Sequence, residues 1–271
     1  MLKRICLLGA FFVAAAAVSS LHAEEKIIAK LGPDTPMKVQ RGPAAWEGDT
    51  LKCKMPFTIV FPTRFKVDPS KIYALSGEFR ATSGNPTKDN MWFGFLCYNE
   101  KGREISSLSL NRTVPILAEL AEPAAKGSVE LVFKSIPAAW EKHLQINRFF
   151  AVGAKEDRSD LPNLNLLAYT GKSMEKRADG TASVKLRRPL AAEIAAGTKI
   201  AIHSHGDTYV FVARKKAGTE WTAIGGSCAS KAEVGVLAFR PTTASVAIGI
   251  FCRDKEGEIE IRNLKLVESE D

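Results

Sequence analysis

The chain has 271 residues, 45% of them hydrophobic and 25% charged, and 38 lysines and arginines against 30 acids give a formal net charge of +8. That composition excludes a disordered or collagen-like chain, and the length is enough to bury a sizeable core without staples. Acids and bases are interleaved from end to end with no basic-aromatic stripe, so no nucleic-acid partner is expected, and the modest basic excess leans towards anionic ligands.

The first segment, MLKRICLLGAFFVAAAAVSSLHAEEK, sets Lys3 and Arg4 before an apolar run from Leu7 to Val18 and a Leu21-His22-Ala23 cleavage site. This is the anatomy of a secretory signal peptide. Residues 1–23 are therefore read as a leader, and the protein as exported, to the periplasm, the cell surface or the medium. The apolar run is short for a bilayer and no later stretch is longer, so no membrane span is expected. The mature chain keeps Cys53, Cys97, Cys228 and Cys252. Export permits disulfides, with three pairings open, and no C-x-x-C spacing points to zinc or redox chemistry.

Along the mature chain, apolar runs of five to nine residues alternate with Gly, Pro, Asn and Asp. KIYALSGEFRA, MWFGFLCYN, VELVFKSI, FFAVGA, ASVKLRRPL, TKIAIHS, TYVFVA, VGVLAF, SVAIGIFCR and EIEIRNLKLV follow one another as expected strands. Short strands separated by turn signals predict an all-β sandwich or barrel. VPILAELAEPAAK and PLAAEIAAG are Ala-rich, and each has room for a turn or two of helix. The middle of the chain differs in texture and is punctuated by Pro115, Pro123, Pro137, Pro162 and Pro189. The expected organisation is a sandwich from residues 24–113 and 205–271, with an inserted small β-rich subdomain at 114–204.

Strand parity divides each run into two faces. Tyr73, Leu75, Gly77 and Phe79 oppose Ser76, Glu78 and Arg80. Met91, Phe93, Phe95 and Cys97 oppose Trp92, Gly94, Leu96 and Tyr98. Val246, Ile248, Ile250 and Cys252 oppose Ala247, Gly249, Phe251 and Arg253. One set in each strand is dense and apolar, as a core face should be. The other mixes glycines with Trp, Tyr, Arg and Glu, a combination suited to a sugar ring on an aromatic plate with polar groups at its hydroxyls; the glycines would leave room for it. His203 and His205, two apart in KIAIHSHGDTYVFV, would share a face of a strand. Three readings stay open for them: half of a metal site, the rim of a binding site, or a polar junction.

The pieces YALSGEFRATSGN, WFGFLCYNEKGREI, EWTAIGG, AFRPTTASVAIGIFC and GEIEIRNLKLVE together resemble the galactose-binding-like jelly rolls used as carbohydrate-binding modules in bacterial glycan-degrading proteins. Tyr73, Leu75, Ser76, Gly77, Trp92, Gly94, Tyr98, Gly102, Ile105, Trp221, Phe239, Pro241, Ile261, Asn263 and Leu266 carry the pattern. LPNLNL, VKLRRPL and AAGTKIAIHSHGDTYVF resemble an inserted segment in related jelly rolls, whereas residues 24–70 match weakly. The resemblance implies a jelly-roll β-sandwich that binds a glycan or polysaccharide without catalysis, beside separate glycan-degrading enzymes. Trp92, Tyr98 and Tyr209 are then expected to stack on sugar rings. Glu78, Arg80, Asn90 and Asp207 would hydrogen-bond hydroxyls or an acidic group, with His205 at the rim. No cofactor is expected. A structural calcium ion is left open, although Arg262 stands where many such modules carry an Asp.

Two other classes compete with this reading. One is a structural or protein-interaction subunit in the periplasm or at the cell surface. The other is a polysaccharide lyase or glycoside hydrolase. A zinc hydrolase would need a third ligand beside His203 and His205, with His143 or Asp207 as candidates. No G-x-S-x-G is present. Glu78, Asp89, Glu100 and Glu104 lie near the proposed face without forming an evident pair. A lyase would ask Arg80, Tyr98 and His205 to converge. No catalytic or metal residue is assigned.

Overall fold

The computed structural model describes residues 25–83, 91–146, 148–229 and 237–270. The expected leader at 1–23 lies outside them, as do Asp89 and Asn90. The chain runs through β1 (Lys26–Leu31), β2 (Lys38–Arg41), β3 (Ala44–Glu47), β4 (Thr50–Lys54), β5 (Phe57–Lys66), β6 (Lys71–Ser83) and β7 (Met91–Tyr98). A 3-10 turn (Ser107–Ser109) leads to β8 (Ala118–Glu119), β9 (Glu130–Phe133), the helix α1 (Ala138–Leu144), β10 (Phe149–Val152), β11 (Leu166–Ala168), β12 (Glu175–Lys176), β13 (Ala182–Lys185) and β14 (Lys199–His203). The chain closes with β15 (Val210–Lys215), β16 (Thr222–Ala229), β17 (Ser245–Cys252) and β18 (Glu258–Glu270).

Two antiparallel sheets face each other. The first has the order β16-β6-β18-β4-β3, with β1 also on β18; the second has the order β15-β7-β17-β5-β2. From β4 to β7 and from β15 to β18, successive strands step between the sheets. The exception is the pair β7 and β15, neighbours in one sheet, between which the chain departs for β8–β14. This is a jelly-roll sandwich. The alternation read from the sequence explains its core: Leu75, Phe79, Phe93, Phe95, Ile248, Ile250, Ile259 and Ile261 are fully buried between the sheets, with Phe79 against Phe93 at 5.5 Å and Phe95 against Phe239 at 5.2 Å.

The strands β8–β14 form a four-stranded sheet, β11-β10-β14-β8, and a three-stranded sheet, β12-β13-β9. These surround a separate apolar cluster of Trp140, Phe133, Phe150 and Tyr169. Trp140 donates its indole N–H to the Ile116 carbonyl at 2.9 Å, and Tyr169 its hydroxyl to the His143 carbonyl at 3.0 Å, so both large rings are buried without an orphaned polar atom. The Ala-rich segments expected to turn helically do not. Ala118 enters β8, and Ala124 bridges Ile194. Runs this short, cut by Pro115, Pro123 and Pro189, cannot repay helix nucleation. The one α-helix among the described residues is α1, AAWEKHL, held by its Trp140–Leu144 face.

The structure pairs none of the four cysteines; each thiol is buried. Burial pushes Cys228 up to about 12 and Cys252 up to about 11. A folded value raised above the ordinary thiol near 9 stabilises the fold fully below pH 9, and that contribution is lost as pH climbs through 11 to 12. The expected result is that a disulfide-exchange thiol reagent leaves the native protein unlabelled at pH 8 and labels it fully in urea. Denaturant midpoints should fall between pH 9 and 11. Fast native labelling would contradict the burial.

Candidate functional site

On the outer face of the β15-β7-β17-β5-β2 sheet, the outward residues form an aromatic cluster. Tyr209 lies parallel to Phe211 at 5.6 Å and edge-on to Phe251 at 5.2 Å. Phe251 also meets Phe211 at 5.1 Å and stacks on Trp92 at 5.3 Å. Tyr209 covers a small apolar patch of Val60, Leu96 and Ala247 together with Tyr98. Its ring sits directly on Gly249, where an added Cβ would come within 2.8 Å of Cδ1. Burial raises the Tyr209 hydroxyl to about 12, with the Glu104 charge adding to it.

Beside this cluster opens a cleft of about 270 Å³, walled by Gln40 and Arg41 of the β2 edge, Thr58 of β5, Gly206 to Tyr209, Phe211, Phe251 and Arg253. Arg240 fixes its far lip by donating to the Asp207 carbonyl at 2.6 Å. Larger grooves lie beside β1, about 650 Å³, and beside residues 99–103, about 670 Å³; neither has an aromatic ring in its wall. The small cleft alone among these combines a ring floor with amide, hydroxyl, carboxylate and guanidinium groups.

The structure divides the residues expected at one site. Tyr209 and Asp207 meet at the cleft. Trp92 adjoins its floor but offers no bare plate. It is 5% exposed, with the Arg214 and Arg253 guanidiniums over its ring at 4.0 and 4.3 Å. Tyr98 is likewise capped, by Arg64 at 4.0 Å. The outward glycines leave no vacancy for a sugar either. Tyr209 occupies the space at Gly249, and the backbone of β15 at Val210 and Phe211 that at Gly94.

Glu78 and Arg80 do face outward, but from β6 in the other sheet, so the whole core separates them from Trp92 and Tyr209. There they are ion-paired: Arg80 with Glu260 at 2.7 Å, and Glu78 with Arg262 at 2.7 Å. Glu78 also accepts from Asn263 at 3.0 Å. These hydrogen bonds, the Arg262 one foremost, hold the Glu78 carboxyl below its ordinary value. Asn263 adopts φ +52° at the bulge of β18, a conformation Asn tolerates better than most side chains. Arg80 and Arg262 both lie over Trp221, at 4.6 and 4.1 Å. Glu78→Gln is expected to change stability little, because a solvent-exposed ion pair is largely screened, and to leave retention in polysaccharide gels unchanged. Lost retention would return Glu78 to the site.

The histidines part company because β14 ends at His203. His203 is fully buried and its Nδ1 lies 2.7 Å from the Leu108 carbonyl, while burial lowers its pKa. His205 is exposed, edge-on to Phe149 at 5.5 Å, and is not part of the cleft wall. Among the described residues no group of three or more His, Cys, Asp or Glu is arranged to hold a metal. Arg80, on the far sheet, does not converge with Tyr98 and His205 as a lyase would require. Sequence reasoning missed Arg41, Gln40 and Thr58, which come from a segment without a legible pattern. Phe251 and Arg253 were in the outward set of their strand, and only their neighbours were unknown.

No protein-family model matches the chain, and no curated protein matches it. Among solved structures the chain is similar to the CBM22-1 xylan-binding domain from Paenibacillus barcinonensis Xyn10C, at 6% identity and a TM-score of 0.36, over 92% of this chain and 98% of that one. A superposition this loose carries no inference about the site.

Proposed function

We propose that the protein is an exported, non-catalytic glycan-binding module whose ligand lies in the cleft between the β2 edge and the loop from Gly206 to Tyr209. The observation that carries this reading is the floor of Tyr209 and Phe211, backed by the buried Phe251, beside Arg253, Arg41, Asp207, Thr58 and Gln40. Aromatic rings meet the C–H face of a sugar, while carboxylate, amide and guanidinium groups meet its hydroxyls. In this reading Trp92 is a support beneath the floor, and Asp207 and Tyr209 are contacts.

The test is a screen of the purified protein against neutral, uronate, sulfated and sialylated oligosaccharides, followed by calorimetry on the hits. A cluster of related hits without product formation is expected. Tyr209→Ala should weaken them about tenfold or more, the scale of a lost aromatic anchor. Product formation would overturn the non-catalytic assignment. A blank from folded protein would overturn the glycan reading and favour a protein-interaction surface.

A further inference from the structure

The charges of the sandwich are distributed unequally between its two outer faces. On the β16-β6-β18-β4-β3 face five cations are ion-paired, while Lys30, Lys54 and Lys265 have no ion pair among the described residues. Arg80 pairs with Glu260 and Arg262 with Glu78, each at 2.7 Å, Lys52 with Glu47 at 2.6 Å, Lys26 with Glu268 at 2.9 Å, and Lys71 with Glu270. On the opposite face, strand parity turns Lys38, Arg41, Arg64 and Arg214 outward, with Arg253 just past the end of β17. Among the described residues Arg41 and Arg253, which both wall the cleft, have no carboxylate partner. The indole N–H of Trp92, under the Arg214 and Arg253 guanidiniums, is buried without an acceptor among the described residues. Two guanidiniums, those of Arg41 and Arg253, thus stand in the cleft wall with no carboxylate taking them up among the described residues.

We infer that the cleft selects an acidic glycan, one carrying carboxylate or sulfate groups, with Arg41 and Arg253 receiving the anion from opposite walls. This inference rests on the glycan reading and names its ligand class. A guanidinium gives two parallel N–H donors to a carboxylate or sulfate, which adds direction to charge. Arg253 is already held over Trp92 and Phe251, so less side-chain freedom is lost on binding than for a free arginine.

The experiment compares a polyuronate with its carboxyl-reduced form, which keeps the sugars and removes the charge, by calorimetry on the full protein at two salt concentrations. The expected result is at least about tenfold tighter binding of the charged polymer, weakened as salt rises. Arg41→Gln and Arg253→Gln should each reduce binding of the charged polymer about tenfold, whereas Lys265→Gln, the same charge change on the opposite sheet, should not. Arg253→Lys separates lost charge from lost packing over Trp92, because it keeps only the charge. Equal binding of both polymers would overturn the acidic-ligand inference and leave the glycan reading intact. Charged-polymer binding that Lys265→Gln weakens as much as Arg41→Gln would overturn it as mere net charge. No binding to any polymer would overturn both.

Discussion

Arg112→Met should cost the protein about 3–5 kcal/mol, the scale expected when one partner of a buried ion pair is removed. Arg112 and Asp160 have side chains 3% and 7% exposed and meet at 3.2 Å. Arg112 also donates to the Lys155 carbonyl at 2.9 Å, while Asp160 accepts from the Lys155 amide and from Asn163, each at 3.0 Å. Asn163 is itself bonded to the Val152 and Ser109 carbonyls. The pair therefore sits where the sandwich meets the strands β8–β14. Methionine would fill the space and leave a buried carboxylate without its countercharge. Arg112→Met with Asp160→Leu should lose less than Arg112→Met alone, because no uncompensated charge remains. Urea midpoints decide it: an Arg112→Met variant within about 1 kcal/mol of the parent, or a double variant no more stable than Arg112→Met alone, would sink the argument. Burial pushes the Asp160 carboxyl up, but Asn163, the Lys155 amide and Arg112 together hold it below its ordinary value. Its contribution is therefore present above about pH 4 and lost as pH falls through the lowered folded value. Asp160→Asn should flatten that acid limb.

The second large effect is on binding. In Gly249→Ala the new methyl group would collide with the Tyr209 ring, lying 2.8 Å from Cδ1 and 3.2 Å from Cζ. The ring must lift from the floor, exposing Val60, Leu96 and Ala247 and closing on the cleft. The expected cost is about 1–3 kcal/mol of stability, with glycan affinity reduced as far as in Tyr209→Ala, about tenfold or more. Two substitutions far apart in the chain, one on β17 and one in the loop before β15, would thus fail in the same way, one by displacing a ring and the other by removing it. If Gly249→Ala binds normally while Tyr209→Ala does not, the ring contacts ligand from another pose.

These residues also mark how far the sequence could be read. Parity in MWFGFLCYN and SVAIGIFCR separates core from outer face correctly, because a pleated strand allows only two directions for its side chains. The same parity places Glu78 and Arg80 outward, which is also correct. It cannot say from which sheet, since outward has opposite senses on the two sides of a sandwich roughly 10 Å thick. Trp92 shows a second limit. Its face is legible, but the guanidiniums that cover it come from β15 and the end of β17, through cross-strand register no single strand contains. Gly94 and Gly249 show a third. A missing side chain signals close approach, yet whether a ligand, a ring or a backbone approaches is decided by a distant segment. The paired reading of His203 and His205 failed for a local reason: alternation applies only inside a strand, and the strand stops between them.

The excursion β8–β14 leaves and re-enters the sandwich at one point. Arg112 bridges His203, the Thr113 amide donates to the Ile202 carbonyl at 2.8 Å, and the Ser204 amide to the Asn111 carbonyl at 3.0 Å. Because outgoing and returning chain are already neighbours there, whatever lies between them can be lengthened, shortened or exchanged without altering the register of β7 against β15. The cleft wall begins three residues past the return point, at Gly206, and is tied back by the Ser107 hydroxyl donating to the Gly206 carbonyl at 2.9 Å. Change in the size of the excursion would thereby be insulated from the two sheets, yet it would lie only a few bonds from the loop that walls the proposed cleft. If the proposed cleft binds a ligand, such an arrangement would let its wall be re-cut while the two sheets keep their pairing.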